Sequence, residues 1–186
     1  MKTTPSIAKI ELSQLLIVDM QSKLVSAMAP DAMQAVIKNC SVLAQAASLL
    51  AVPVIVTEQY PQGLGETLAD IKQHIGASKP IEKTAFSAAC VPKFSQQLHR
   101  DQPQLIIAGM ESHICVLQTA LALVQANKQV FVVEDAIISR SAGNKANAIA
   151  RMRDAGCIIT NTESVLFEWL SNANHTAFKA ISQLIR

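Results

Sequence analysis

The chain has 186 residues, half of them hydrophobic, 16% charged and 4% aromatic, with a formal net charge of +2. That length suits one domain, 1–186, whose core must be Ala, Leu, Ile and Val rather than rings, and the composition excludes a disordered chain. Lys and Arg are scattered without a basic run, which argues against nucleic acid and against an anionic membrane as partners.

The opening "MKTTPSIAKIEL" lacks the apolar stretch of a secretory signal, and no segment reaches the ~18 unbroken apolar residues of a membrane span. A soluble, cytoplasmic protein is the expectation. Cys40, Cys90, Cys115 and Cys157 lie far apart, with neither C-x-x-C nor metal-type spacing. Free thiols in a reducing compartment follow, with packing as the default role of Cys40, Cys90 and Cys157.

The first apolar run is "LLIVDM" (15–20), which ends in an acid. Residues 31–50 carry Met33, Val36, Ile37, Leu43, Ala47 and Leu50 near helical spacing, with Asp31 after Pro30 as the expected N-cap. "PVIVTEQ" (53–59) is a second run, followed by a helical pattern over 66–75. "PIEKTAFS" (80–87) is a weaker strand, and 91–100 is helical. "LIIAGM" (105–110) precedes a helix over 113–127, and "VFVVEDA" (130–136) precedes one over 144–155. "CIITNTES" (157–164) is the last strand, followed by a short helix near 164–171 and a closing one at about 175–186. Short, β-branched runs alternating with helices predict an α/β fold: three layers around a doubly wound, six-stranded parallel sheet in order 3-2-1-4-5-6.

In such sheets ligands bind beyond the carboxyl ends of the strands, at the switch between the first and fourth. Those ends carry Asp19, Thr57-Glu58-Gln59, Lys83, Gly109-Met110-Glu111 and Glu134-Asp135. The topology therefore brings Asp19 near Cys115, in the first turn of the helix after the fourth strand. Unpaired N–H groups and the positive dipole end favour a thiolate there, and a buried structural cysteine is the alternative. The buried stripe of that helix is expected at Ile114, Leu117, Leu121 and Val124, with Cys115 off it. Lys83 alternates with Ile81 and Ala85, so it either meets an acid or snorkels from an edge. Asp19 is either part of a site or a strand-end cap. Taken together, a carboxylate to accept a thiol proton, a lysine to hold it and a helix-start cysteine to attack a carbonyl form a nucleophilic constellation. The backbone over 111–115 is the candidate oxyanion hole.

These residues resemble the isochorismatase-like cysteine hydrolase superfamily, which includes nicotinamidases and N-carbamoylsarcosine amidohydrolases. The resemblance rests on "LLIVDMQ" (15–21), "VTEQYPQGLGET" (56–67), "EKTAFS" (82–87), "AGMESHICVLQTALAL" (108–123) and "DAIISRSAGNKANAIARMRDAGC" (135–157), in order. It implies the triad Asp19, Lys83 and Cys115, a cis peptide joining Met110 to Glu111, and oxyanion donors at the N–H groups of Glu111 and Cys115. Nicotinamidases carry metal ligands in an Asp-x-His motif after the second strand. Here that stretch reads Thr57-Glu58-Gln59-Tyr60-Pro61, and His74 stands alone downstream. No zinc or iron and no other cofactor is expected, and the chain is closest in pattern to the metal-free branch that includes the isochorismatase-domain-containing proteins. The resemblance also implies a homo-oligomer.

The expected activity is a cysteine-dependent hydrolysis of a small amide or related carbonyl compound through a thioester-type intermediate. Candidate substrate contacts are Gln21, Gln59, Tyr60, Phe86 and His113. The two glutamines can orient an amide or bond backbone, the two rings can wall a pocket or fill the core, and His113 is structural or pocket-lining rather than a base. Two other classes remain: a scaffold keeping the hydrolase fold without turnover, and a redox sensor with Cys115 as a low-pKa thiol.

Overall fold

Six parallel strands carry the apolar runs of the sequence: β1 (Ser13–Val18), β2 (Val54–Gln59), β3 (Ile81–Lys83), β4 (Gln104–Met110), β5 (Gln129–Ile138) and β6 (Ile158–Thr160), in sheet order β3-β2-β1-β4-β5-β6. The structure, a computed structural model, describes residues 7–76 and 78–186. Residues 1–6, which open the segment read for a secretory signal, lie outside them, as does residue 77. Among the described residues no helix is long and apolar enough to cross a membrane.

The helices are α1 (Ser22–Val25), α2 (Pro30–Leu49), α3 (Pro61–Leu64), α4 (Ala69–Lys72), α5 (Pro92–Gln97), α6 (Leu117–Gln125), α7 (Ala142–Asp154), α8 (Thr162–Leu170) and α9 (Phe178–Leu184). In β1 every residue is buried, because successive side chains alternate between two covered faces. Leu15 and Ile17 join the layer of α2, α8 and α9 with Leu43, Trp169 and Ile181. Leu16 and Val18 join the opposite layer of α5, α6 and α7 with Phe94, Ala120 and Met152.

Four local expectations change. Helix α2 is capped at Ala29 rather than Asp31, because Pro30 occupies the first helical turn, where its fixed φ and missing N–H cost nothing. The helix read over 66–75 is a single turn, Ala69–Lys72. Strand β6 stops at Thr160, since Asn161 accepts from the Ser164 N–H and starts α8 early. Strand β5 does not end at Glu134-Asp135: its pairing with β4 jumps from Ile107↔Val132 to Gly109↔Ile137, and the strand runs on to Ile138. That bulge leaves Glu134 and Asp135 mid-strand and delivers Ser139 and Arg140 to the carboxyl edge.

Candidate active site

The register of the sheet assembles the site. Val18 pairs with Thr57 on one side and Gly109 on the other, and Gln59 pairs with Lys83. Asp19, one residue past Val18, therefore sits at the switch point between β1 and β4. Its φ of 49° is positive, and its N–H donates to the Thr57 carbonyl at 3.1 Å. Gly109 makes this approach feasible. Its φ is +116°, and a Cβ there would lie 2.1 Å from the Val18 carbonyl oxygen.

Lys83 does not snorkel. Its side chain and that of Asp19 have no exposure, and its Nζ lies 2.7 Å from Asp19 Oδ2. The same ammonium donates to Gln59 Oε1 at 2.7 Å and to the Phe86 carbonyl at 3.2 Å, so all three protons have acceptors. The other Asp19 oxygen accepts from Thr57 Oγ1 at 2.7 Å. A buried ion pair survives only when its remaining hydrogen-bonding capacity is met in this way.

Cys115 lies in a π-turn, Ser112–Val116, rather than in the first turn of an α-helix. The Ile114 and Val116 N–H groups both donate to the Glu111 carbonyl, at 3.1 and 3.2 Å. The wider turn changes the phase of everything after it. The fully covered positions are Val116, Leu117, Thr119, Ala120 and Leu123, while Ile114, Leu121 and Val124 are partly exposed, contrary to the stripe expected from helical spacing. Cys115 is 6% exposed and its sulfur lies 4.0 Å from Gln59 Oε1. Its environment does not favour a thiolate. Burial, and then the Asp19 charge, push the thiol up to about 12, outweighing Lys83, which pulls it down. These surroundings favour the neutral thiol over the thiolate.

The peptide between Met110 and Glu111 is cis. The Glu111 side chain is nearly buried, and its Oε2 accepts from Arg140 Nε at 2.9 Å and from the Arg140 N–H at 3.4 Å. Asp19, Gln59, Met110, Glu111 and Cys115 share one cavity of about 120 Å³ with Leu24, Leu64, Phe86 and Ile114.

A family model for the isochorismatase domain matches residues 13–164. The chain belongs to the isochorismatase family. It is similar to isochorismatase family protein 1B of Dictyostelium discoideum, 35% identical over 95% of this chain and 88% of that protein. It is also similar to human isochorismatase domain-containing protein 2, 41% identical over 75% and 67%. Among solved structures, a Caenorhabditis elegans protein described as MAR1 ribonuclease matches with a TM-score of 0.90 and 35% identity, covering 96% of this chain and 92% of that one. YcaC of Pseudomonas aeruginosa, determined with hexane-2,5-diol and covalent acrylamide, matches with a TM-score of 0.87 and 26% identity, covering 99% and 98%.

Within this isochorismatase-family hydrolase fold, the other predicted side chains divide. Gln59 and Phe86 line the cavity. Gln21 does not: it is fully buried, its amide donates to the Gln59 and Gly65 carbonyls at 3.0 and 2.6 Å, and its Oε1 accepts from the Gln59 N–H at 2.7 Å. It is a strut that fixes the end of β2. Tyr60 is 54% exposed and outside the lining, because its positive φ of 38° turns the chain into α3. His113 bonds Ser139 Oγ at 2.9 Å and lies 3.4 Å from the Asn144 amide, away from Cys115. Glu58, in the stretch where nicotinamidases hold a metal, is committed to Thr67, whose N–H and hydroxyl donate at 2.7 and 2.6 Å. Among the described residues no three His, Cys, Asp or Glu side chains converge as a metal site requires. Sequence reasoning placed Thr57 at the carboxyl edge without giving it a role, and missed Arg140 as a site residue. A threonine opposite a strand-end acid gave a weak signal, and Arg140 gave none, being displaced to the edge by the β5 bulge.

Proposed function

We propose that the chain is a cysteine-dependent hydrolase of a small amide or related carbonyl compound, with Asp19, Lys83 and Cys115 as the catalytic triad. The observation that carries this reading is the fully buried Asp19–Lys83 pair at 2.7 Å, on the floor of the cavity that also holds the Cys115 thiol. A buried carboxylate held by two bonds, from Thr57 Oγ1 and Lys83 Nζ, and set beside a neutral thiol is arranged as a proton acceptor. As Cys115 Sγ attacks the carbonyl carbon, its proton passes to Asp19 and the carbonyl oxygen becomes an oxyanion. By family resemblance the Glu111 and Cys115 N–H groups stabilise that charge. Collapse breaks the C–N bond, and the amine leaves with the proton from Asp19. Water then attacks the thioester, giving its proton to Asp19, and the acid departs as the thiol is restored.

The covalent acrylamide of the P. aeruginosa neighbour supports the reading, since a small neutral electrophile fits a cavity of this size. A low-pKa sensor thiol fits less well, because burial raises rather than lowers the Cys115 thiol. We also propose, on family resemblance, that the protein works as a homo-oligomer, which light scattering reads directly. The test of function is hydrolysis across a panel of small primary amides and N-carbamoyl compounds. Turnover lost in both Cys115→Ala and Lys83→Met is expected. Turnover that survives Cys115→Ala removes the triad assignment.

A further inference from the structure

The walls of the cavity narrow the substrate class. The lining residues are Leu24, Leu64, Phe86, Met110 and Ile114, interrupted by Asp19, Gln59, Glu111 and Cys115. The two acids among them are already paired, Asp19 with Lys83 and Glu111 with Arg140. Among the described residues no Lys or Arg side chain lines the cavity. Lys83 stands behind Asp19 with no exposure, and its protons are taken by Asp19, Gln59 and the Phe86 carbonyl. Arg140 reaches Glu111 from solvent, with 55% of its side chain exposed. An anionic group entering here would lose its hydration to an apolar wall and find no free cation to replace it.

We infer that the enzyme takes a small, uncharged amide with an apolar acyl group and rejects substrates carrying a carboxylate or phosphate. This deepens, and rests on, the hydrolase reading above. The cavity, about 120 Å³, suits a small molecule. Leu24, Leu64, Phe86 and Ile114 cover the acyl chain, while the carbonyl carbon faces Cys115. Charge also favours product release. Hydrolysis breaks the C–N bond, water supplies the second acid oxygen, and the nitrogen leaves carrying a proton. The acid product is an anion at neutral pH and, with no free cation in the apolar cavity, is better solvated outside it. The same lack of a cation leaves a phosphodiester without a partner, which separates this site from the ribonuclease description attached to the C. elegans neighbour.

The test compares iodoacetamide with iodoacetate, near-isosteric reagents that differ in charge and need no turnover. Each forms an S–C bond at a thiol and releases iodide. Rates are read site by site by peptide mapping at about pH 8 and low ionic strength. Cys90, which is exposed, serves as the internal reference in the same molecule. The preference for iodoacetamide at Cys115 should exceed that at Cys90 by roughly 30-fold or more. Leu64→Arg, which adds a cation to the wall, should narrow it by about tenfold. A preference equal to that of Cys90, or one unchanged in Leu64→Arg, overturns the inference. If Cys115 reacts with neither reagent, saturation-transfer NMR with butyramide and butyrate reads the same selectivity, and equal signals overturn it. Discrimination without turnover of any amide would refute the hydrolase reading while leaving the cavity's selectivity standing. Turnover of neutral and anionic amides alike would do the reverse.

Discussion

Replacing Lys83 by Met isolates the energetics of the buried pair. Methionine keeps the length and apolar stem of lysine but removes the ammonium, leaving Asp19 with one side-chain partner, the Thr57 hydroxyl at 2.7 Å. Both members of the pair are without exposure, so water is a poor replacement for the missing charge. Breaking a buried pair from one side costs about 3–5 kcal/mol. At a urea dependence of about 2 kcal/mol per molar, the midpoint should fall by roughly 1.5–2.5 M. The double variant Asp19→Asn/Lys83→Met removes both charges, keeps an acceptor oxygen for Thr57 and should recover most of that loss, to within about 1–2 kcal/mol of wild type. Urea unfolding followed by circular dichroism on the wild type, both single variants and the double gives the cycle. The reasoning is refuted if Lys83→Met costs less than about 1 kcal/mol, or if the double variant is as unstable as the sum of the singles.

Gly109→Ala drives a Cβ against Val18 backbone atoms at 2.1–2.8 Å in a conformation with φ +116°. A loss of about 2–5 kcal/mol in urea unfolding is expected from overpacking and strain together, and a midpoint equal to wild type would contradict it. Because burial and Asp19 hold the Cys115 thiol up to about 12, its alkylation by iodoacetamide should climb about tenfold per pH unit through pH 10. Asp19→Asn, which removes a charge that raises the thiol, should speed alkylation at fixed pH. A plateau below about pH 9 would show a thiolate instead. Gln59→Ala removes the acceptor 2.7 Å from Lys83 Nζ and is expected to lower kcat/KM by roughly 10- to 100-fold, the worth of a hydrogen bond to a charged group. A change under threefold would place Gln59 outside the machinery.

The strand order was legible because each central strand is a short β-branched run buried on both faces, and parallel connections leave few topologies. The same order placed Asp19 and Cys115 at one edge, and the alternation of Ile81 and Lys83 brought the lysine inward. What sequence spacing does not carry is a change of period. The π-turn at Ser112–Val116 moves the buried stripe of α6, and the β5 bulge moves Arg140 to the site in place of Asp135. Asp135 instead accepts from the Thr162 N–H at 2.8 Å, at the start of α8. Tyr60 and Gln21 show a second limit. Both sit beside site residues in sequence, yet a positive φ turns one out and three backbone bonds fix the other as a strut. The thiolate expectation failed on magnitude: a helix-terminus effect fades within a turn, whereas burial and a neighbouring carboxylate act on Cys115 directly.

The central claim is that Cys115 becomes acylated while Asp19 and Lys83 handle the charge. Rapid-quench intact mass spectrometry during turnover of a small neutral amide tests it most directly. The account predicts an adduct of the acyl mass on the Cys115 peptide, formed and consumed at rates consistent with kcat and absent in Cys115→Ala. In Lys83→Met its formation should be slowed by at least about 100-fold. Turnover without any acyl adduct on Cys115, or an adduct that forms at the wild-type rate in Lys83→Met, would contradict it.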